Sequence, residues 1–397
     1  MKRPRHCLRR QWTIDLRWGA HSLGSPLLRI VAMRVAERAF RAVVPNWSRW
    51  MPGIGIAVLL LRPINFGNAG IVGASTVLVG CVLVSVHHAE VVAHKVGEPF
   101  GTLILAVAVT VIEASLILSM MLSGAANPAL PRDTVFAAIM LILNGVVGAC
   151  MLVGGVRHRE QRFVLEGVNA GLCVLAAMAT LVLVLPTVAA SRSSSEYTPG
   201  QLVFTALASL TLYATFVFVQ TIRHRDYFLP DGGGDLHPEE HAAPPTGRQA
   251  VISLFLLLLA LVSVVLLAKT LSHPIEQAIV AAALPRTFVG IVIAALVLAP
   301  ESLAALQAAR RNRLQTSLNL ALGSALATIG LTIPTVAITA LLVRWPLSLG
   351  LDARGITLLA VSLVVAILSF GTGRTTILQG AVHLVLLAAY IFTSINP

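Results

Sequence analysis

The chain has 397 residues, of which 56% are hydrophobic and only 12% charged, and its mean hydropathy is +0.84. A soluble domain carries roughly 25% charged residues, so this composition excludes a water-soluble globule of comparable size. The net charge of +12 does not indicate nucleic-acid binding, because 11 of the 29 Lys and Arg residues lie within residues 1–50 and most others lie in short loops between apolar blocks.

Residues 1–50 form a basic N-terminal extension. This segment is rich in Arg but lacks the apolar region and the small-residue cleavage site of a signal peptide. Arg34, Arg38 and Arg41 alternate with apolar residues, which is typical of an amphipathic stretch on the inner membrane surface. Translation from Met33 or Met51 stays open as an alternative.

Eleven apolar segments are candidates for membrane-spanning helices. A span takes about 20 apolar residues, and a backbone in lipid must satisfy its own hydrogen bonds, which favours helices. The first segment is short, and 315–343 is long enough to tilt or kink at Pro334. We predict an all-α membrane protein with about eleven transmembrane helices, at 51–62, 68–88, 100–123, 134–155, 164–189, 200–221, 249–271, 287–308, 315–343, 355–371 and 375–395.

An acidic segment at 223–248 interrupts the apolar series. It combines Gly and Pro with five carboxylates and with His237 and His241, which predicts a flexible cytoplasmic linker and leaves loose metal sensing open. The linker separates a first five-helix repeat, 68–222, from a second, 249–397. An odd number of spans inverts the second repeat, so we predict a 1+5+5 organisation with inverted repeats.

The basic residues also predict an orientation. With the N-terminus in the cytoplasm, 22 Lys and Arg residues lie on the cytoplasmic side and 7 on the other. The positive-inside rule favours this arrangement. We therefore expect a multi-pass protein of the bacterial inner (plasma) membrane with a cytoplasmic N-terminus and with lipid as its surroundings.

Two carboxylates lie deep inside apolar segments, where an acidic side chain is costly and needs a reason. Glu113 is in the second span of the first repeat, and Glu301 is in the second span of the second repeat. Inversion would bring them face to face near the midplane of the bilayer. Burial and mutual repulsion favour protonation of such a pair, and a divalent cation would displace the protons. The alternative is a pair of protonated packing residues.

Oxygen-bearing side chains near the two glutamates suit a hard cation such as calcium. Thr110 lies one turn before Glu113, and Pro300 is expected to break the helix before Glu301 and free carbonyl groups. The predicted supporting ligands are Thr110, Asn144, Ser317, Asn319 and Ser324.

Three stretches of the chain, 87–117, 288–334 and 371–390, resemble the calcium/cation exchanger superfamily in its bacterial calcium:proton (sodium, potassium:proton) antiporter branch. The resemblance covers about residues 52–397. It implies a secondary antiporter, not an enzyme, that binds cation or protons at Glu113 and Glu301 and needs no cofactor besides the transported cation, here Ca²⁺. Sodium or potassium:proton exchange at the same site is the alternative, and an intramembrane hydrolase or a channel is less favoured.

The match to the family pattern is incomplete around both glutamates. Related exchangers carry Gly-Asn-x-x-Glu in each repeat, and here Thr110 and Leu298 stand where the two Asn residues would be. The Gly-Ser-Ser of the following helix becomes Gly-Ser-Ala at 323–325, and a gating Gln is replaced by Ala327. The choice among calcium, sodium and potassium therefore stays open.

Histidines and acidic residues near the end of the second span form a possible entrance for cations or protons. Its predicted members are His88, Glu90, His94 and Glu98, and a solvated helix end is the alternative. His383 in the last span is either a proton relay or a packing residue.

Overall fold

The computed structural model describes residues 47–97, 100–122, 128–189, 197–229, 245–285 and 287–396. Nearly all of the predicted N-terminal extension and residues 230–244 of the predicted linker lie outside these ranges. Within them the chain is almost entirely helical, and nine helices are long and apolar enough to cross a membrane. The predicted all-α membrane fold is confirmed.

The helices follow the predicted spans closely. Helix α1 covers residues 47–60. The others are α2 (Gly67–Val96), α3 (Phe100–Leu122), α4 (Leu130–His158), α5 (Leu165–Val188), α6 (Pro199–Arg223), α7 (Gly247–Ala281), α8 (Thr287–Arg310), α9 (Leu314–Val343), α10 (Ala353–Phe370) and α11 (Ile377–Ile395).

Local sequence signals explain where several helices begin. Helices α6, α7 and α11 each start with a Thr-x-x-Gln capping box, in which the Thr side chain and the Gln side chain satisfy free backbone N–H groups. Helix α10 starts at Asp352, whose Oδ1 accepts a hydrogen bond of 2.8 Å from the backbone N–H of Gly355.

In the part of the chain that the structure describes, four helices contain a π-helical segment, an irregularity that often occurs at functional sites. Two of these segments concern the candidate site: Leu141–Val146 in α4 and Thr328–Thr332 in α9. Pro334 follows the second segment and has no backbone N–H to donate to the carbonyl four residues earlier, so the regular hydrogen-bond ladder cannot continue there. The π segment in α4 contains Asn144 and no proline.

The prediction that Pro300 breaks its helix is wrong. Helix α8 runs without interruption from Thr287 to Arg310 and contains Pro300 in its interior. A proline removes only one hydrogen bond, and neighbouring helices and hydroxyl groups make this tolerable in a membrane. Close by, the Ser302 hydroxyl donates a hydrogen bond of 2.6 Å to the carbonyl of Leu298.

The outer surface of the bundle is apolar, as lipid requires. Large hydrophobic side chains such as Leu60 and Leu342 are about four-fifths exposed, at 79% and 80%. Inside, α2 packs along α7, α3 packs against both of them, and α11 packs along α4. In addition, α3 contacts the π segment of α9 and α8 contacts the π segment of α4. Each half of the chain therefore contacts a π segment of the other half.

Two short strands join the ends of helices at one face of the bundle. Strand β1 (Gln161–Arg162) pairs antiparallel with β2 (Arg374–Thr375), with Gln161 opposite Thr375. The Gln161 side chain also donates a hydrogen bond of 2.9 Å to the carbonyl of Ala309 at the end of α8. The loops after α4, α8 and α10 thus lie at the same face, which we call the strand face.

Candidate functional site

Glu113 lies near the middle of α3 and is only 2% exposed. Its Oε2 atom accepts a hydrogen bond of 2.9 Å from the hydroxyl of Thr332. Thr328, one turn earlier on the same helix, also interacts with the Glu113 carboxyl group. Both threonines belong to the π segment of α9, so the carboxyl group of the first half is held by hydroxyl groups of the second half.

Glu301 lies near the middle of α8, and its side chain is partly buried. Its Oε2 atom is buried, and no described residue gives that atom a hydrogen bond. A buried carboxylate oxygen without a partner is costly. This oxygen is therefore available to a proton or to a cation.

Helix α3, which carries Glu113, packs against helix α8, which carries Glu301. The carboxyl group of Glu301 interacts electrostatically with that of Glu113 and also with that of Glu90 on α2. Three acidic side chains from three helices thus approach one region of the bundle. They differ in burial, since Glu113 is buried, Glu301 is partly buried and Glu90 is exposed.

Thr332 was not among the predicted ligands. It follows Glu301 by 31 residues, just as Asn144 follows Glu113 by 31 residues. Ser324, Thr328 and Thr332 recur every four residues, which places them along one side of α9. That spacing of hydroxyls within an apolar helix was a signal in the sequence, but the partner of Thr332 lies 219 residues away.

The five predicted supporting ligands fall into two groups in the structure. Thr110 is buried on α3 one turn before Glu113, and its hydroxyl donates a hydrogen bond of 2.8 Å to the carbonyl of Ala106. Ser324 is partly exposed on α9, on the same side as Thr328. These two side chains lie on the elements that hold Glu113.

The other three predicted ligands are engaged in hydrogen bonds to protein groups. Ser317 donates to the carbonyl of Ala305 at 2.5 Å, and the Asn319 amide donates to the carbonyl of Phe228 at 2.5 Å. Asn144 binds Ser362 and His383. The hydroxyl or amide group that each of these side chains uses in its hydrogen bond is therefore directed at those partners and not at the two glutamates.

The predicted entrance residues lie on the last turns of α2. His88 is buried at 3% exposure, and its Nε2 donates 3.0 Å to the carbonyl of Ser48. Glu90 and His94 are exposed. Glu98 lies outside the described residues. Of these four residues, Glu90 is the one that interacts electrostatically with Glu301.

The polar groups around the two glutamates are oxygen atoms. Within the ranges that the structure describes, no group of three or more His, Cys, Asp or Glu side chains could hold a metal ion. The region around Glu113 and Glu301 offers carboxylate and hydroxyl oxygens instead, the ligands that hard cations take.

The family model described as "Sodium/calcium exchanger protein" matches residues 67–222 and again residues 252–396. The chain belongs to this family. An ionic transporter of Sinorhizobium fredii, y4hA, is 45% identical over 361 residues, which cover 90% of this chain and 98% of that protein. The sodium-potassium/proton antiporter ChaA of Escherichia coli is 36% identical over 309 residues, 78% of this chain and 84% of that protein.

A solved structure has the same fold. The crystal structure of the selenium-substituted Ca²⁺/H⁺ antiporter protein YfkE covers 87% of this chain and 98% of its own chain, with a TM-score of 0.65 and 14% sequence identity. Together these findings identify the chain as a multi-pass membrane cation/proton antiporter of the calcium/cation exchanger superfamily, in its bacterial branch. It is a transporter and not an enzyme, as predicted.

Proposed function

We propose that this antiporter exports Ca²⁺ in exchange for H⁺, and that Glu113 and Glu301 are the groups that bind either the cation or the protons. The observation that carries the proposal is that α3 and α8 pack against each other and that each brings one carboxyl group into the apolar bundle, where the two groups interact electrostatically. Two neighbouring carboxylates cannot both stay charged in such surroundings without a compensating cation or proton. Cation and protons therefore compete for one site.

Calcium is the cation that this charge balance favours. A divalent ion compensates two carboxylates at once, whereas a monovalent ion leaves one charge that a proton must neutralise. The hydroxyls of Thr328 and Thr332 supply further oxygen atoms beside Glu113. Thr110 and Ser324 are the predicted supporting ligands on the same helices.

Sodium or potassium:proton exchange at the same glutamates is the second candidate. It is favoured by the sodium-potassium/proton antiporter ChaA, which is 36% identical to this chain. Leu298 in place of an Asn also leaves fewer neutral ligands around Glu301 than the related exchangers have. In both candidates the cation competes with protons for the same site, so one assay, run with each cation in turn, distinguishes them.

Two inverted five-helix repeats, covering about 68–222 and 249–397, would supply the two glutamates. Three features support this organisation: the family model matches each half separately, 31 residues separate Glu113 from Asn144 and Glu301 from Thr332, and each half contacts a π segment of the other half through α3 or α8. We further propose that the N-terminus lies in the cytoplasm of a bacterial inner membrane and that Glu90 lies on the cytoplasmic route to Glu301.

Everted membrane vesicles test this function directly. Vesicles from a host without its own exchangers are acidified inside by respiration, and CaCl₂, NaCl or KCl is then added while a pH-sensitive dye reports the gradient. We expect Ca²⁺ to dissipate the gradient and the Glu113→Gln and Glu301→Gln variants to lower this rate by about 100-fold or more, since each loses one charge of the pair.

A matched substitution away from the site provides the control. Glu166 is exposed in the first turn of α5, and Glu166→Gln should keep the wild-type rate. Dissipation by Na⁺ or K⁺ but not Ca²⁺ would establish the second candidate. Undiminished exchange in both site variants would refute the assignment of the two glutamates.

A further inference from the structure

A buried cluster of three polar side chains lies beside the site and is not part of it. The Asn144 amide donates a hydrogen bond of 2.8 Å to the hydroxyl of Ser362 on α10. Its carbonyl oxygen lies 3.1 Å from Nδ1 of His383 on α11. All three side chains are fully buried, at 0% exposure. The cluster therefore joins α4, α10 and α11 within the apolar interior.

The hydrogen-bond pattern defines the state of His383. A carbonyl oxygen only accepts hydrogen bonds, so Nδ1 must carry the proton that it donates to Asn144. The other ring nitrogen, Nε2, is buried and has no partner among the residues that the structure describes. The ring thus makes its hydrogen bond to Asn144, and no acidic side chain of the described residues accepts from it.

Tight backbone packing explains how His383 reaches Asn144. Gly148 follows Asn144 by one helical turn, and a Cβ atom there would lie 2.9 Å from the Cβ of His383. A side chain at Gly148 would push α11 away. Small residues at such contacts allow helices in membranes to approach closely.

Asn144 belongs to the element that packs against the Glu301 helix. It lies in the π segment Leu141–Val146 of α4, which contacts α8. Its counterpart by chain spacing is Thr332, which lies in the π segment of α9 and holds Glu113. The π segment of α9 therefore contacts Glu113 directly through Thr332. The π segment of α4 is instead held by His383 and Ser362 through Asn144.

We infer that His383, together with Ser362, is a positioning residue that anchors the π segment of α4 against α10 and α11 and so fixes the Glu301 side of the cation site. This inference rests on the proposed function. It differs from a proton relay, because anchoring needs only a hydrogen-bond donor at the place of Nδ1, whereas a relay needs a group that takes up and releases protons.

The substitution His383→Asn distinguishes these roles, since the Asn amide offers a donor near the place of Nδ1 but does not carry protons. In the vesicle assay we expect His383→Leu to raise the half-saturating cation concentration about tenfold, the effect of losing one buried hydrogen bond. We expect His383→Asn to restore that concentration to within about twofold of wild type. The maximal rate per molecule should change little in either variant.

Ser362→Ala is a smaller change that removes only one oxygen atom, and we expect it to raise the half-saturating concentration about threefold to tenfold. Ser369→Ala, also buried on α10, is the matched control and should behave like wild type. Equal impairment of His383→Asn and His383→Leu would overturn the inference, and so would wild-type behaviour of His383→Leu.

A parallel measurement on Glu113→Gln separates this inference from the proposed function. If Glu113→Gln abolishes exchange while His383→Leu and Ser362→Ala retain the wild-type half-saturating concentration, only the positioning role fails. If Glu113→Gln leaves exchange intact, the proposed site itself fails, whatever the variants of His383 show.

Discussion

The hydroxyl group of Thr332 links the two halves of the chain at the candidate site. It donates to Glu113 across 219 residues of sequence, at a distance of 2.9 Å. A hydrogen bond to a charged acceptor is stronger than one between neutral groups. The Thr332 hydroxyl therefore stabilises the carboxylate of Glu113, the form that would bind the cation in the proposed function.

The substitution Thr332→Val tests this contact because it keeps the shape of the side chain and removes the donor. We expect the half-saturating cation concentration of the vesicle assay to rise about tenfold, as the loss of one hydrogen bond to a charged group predicts. The Thr335→Val variant is the matched control, since Thr335 is exposed on the same helix and its hydroxyl bonds only to the Leu331 carbonyl. A similar response of both variants would contradict the contact.

Helix ends and helix interiors differ in how far the sequence predicts them. Thr-x-x-Gln boxes and apolar length are local properties, so most helix bounds agree with the predicted spans to within a few residues. Helices α2 and α7 are exceptions, because they continue beyond the predicted spans 68–88 and 249–271, to Val96 and to Ala281. The thickness of the bilayer sets the length of the apolar segment, but the helix itself can continue beyond the lipid.

Irregularities inside the helices depend on packing and were not predictable in the same way. Pro300 sits in an unbroken helix, while the π segment around Asn144 contains no proline at all. The two glutamates were predicted as site residues from the sequence because a carboxylate in an apolar segment is conspicuous in any window of residues. The hydroxyl of Thr332 was not, since a threonine in an apolar helix has many roles.

The contact between α4 and α11 leads to a prediction about stability. A Cβ atom at Gly380 would lie 2.5 Å from the backbone nitrogen of Leu152 and 2.8 Å from the carbonyl oxygen of Gly148. Because backbone atoms cannot move aside, we expect Gly380→Ala to lower the free energy of unfolding by about 1–3 kcal/mol, as overpacking does. The melting temperature of the detergent-solubilised protein should fall accordingly.

Gly73→Ala is the control for this prediction. Gly73 lies in α2, and an added Cβ there meets no other atom within 4 Å. Alanine favours a helix over glycine by roughly 0.8–1.0 kcal/mol, so this variant should melt at the same temperature as wild type or slightly higher. If Gly380→Ala melted together with Gly73→Ala, the close contact of α4 with α11 would be disproved.

At the scale of the whole molecule, the distribution of basic residues and the direction of the helices place the same loops on one face of the bundle. The loops after α4, α8 and α10 meet at the strand face, where His158 also binds the carbonyl of Arg310 at 3.0 Å. A different group of helix ends surrounds a cavity of about 250 Å³ lined by Arg132, Asp133, Arg354 and Tyr390. The proposed orientation assigns the strand face to the cytoplasm because the basic residues are concentrated on that side.

Labelling of single cysteines tests this orientation. In a variant whose four native cysteines are replaced by alanine, we introduce either Pro346→Cys, in the loop between α9 and α10, or Arg311→Cys, in the loop between α8 and α9; both positions are exposed. A membrane-impermeant maleimide should label Pro346→Cys in intact cells and Arg311→Cys in everted vesicles. The reason is that the two loops are separated by one membrane-spanning helix, α9.

The labelling experiment has two informative failures. The opposite pattern would reverse the orientation and place Glu90 on the outer side, while the two glutamates kept their role and the ion gradients still set the direction of exchange. Labelling of both cysteines from one side would contradict α9 as a membrane span and with it the inverted repeats. Equal labelling of both variants after denaturation is the necessary control, because it shows that each cysteine is reactive when nothing shields it.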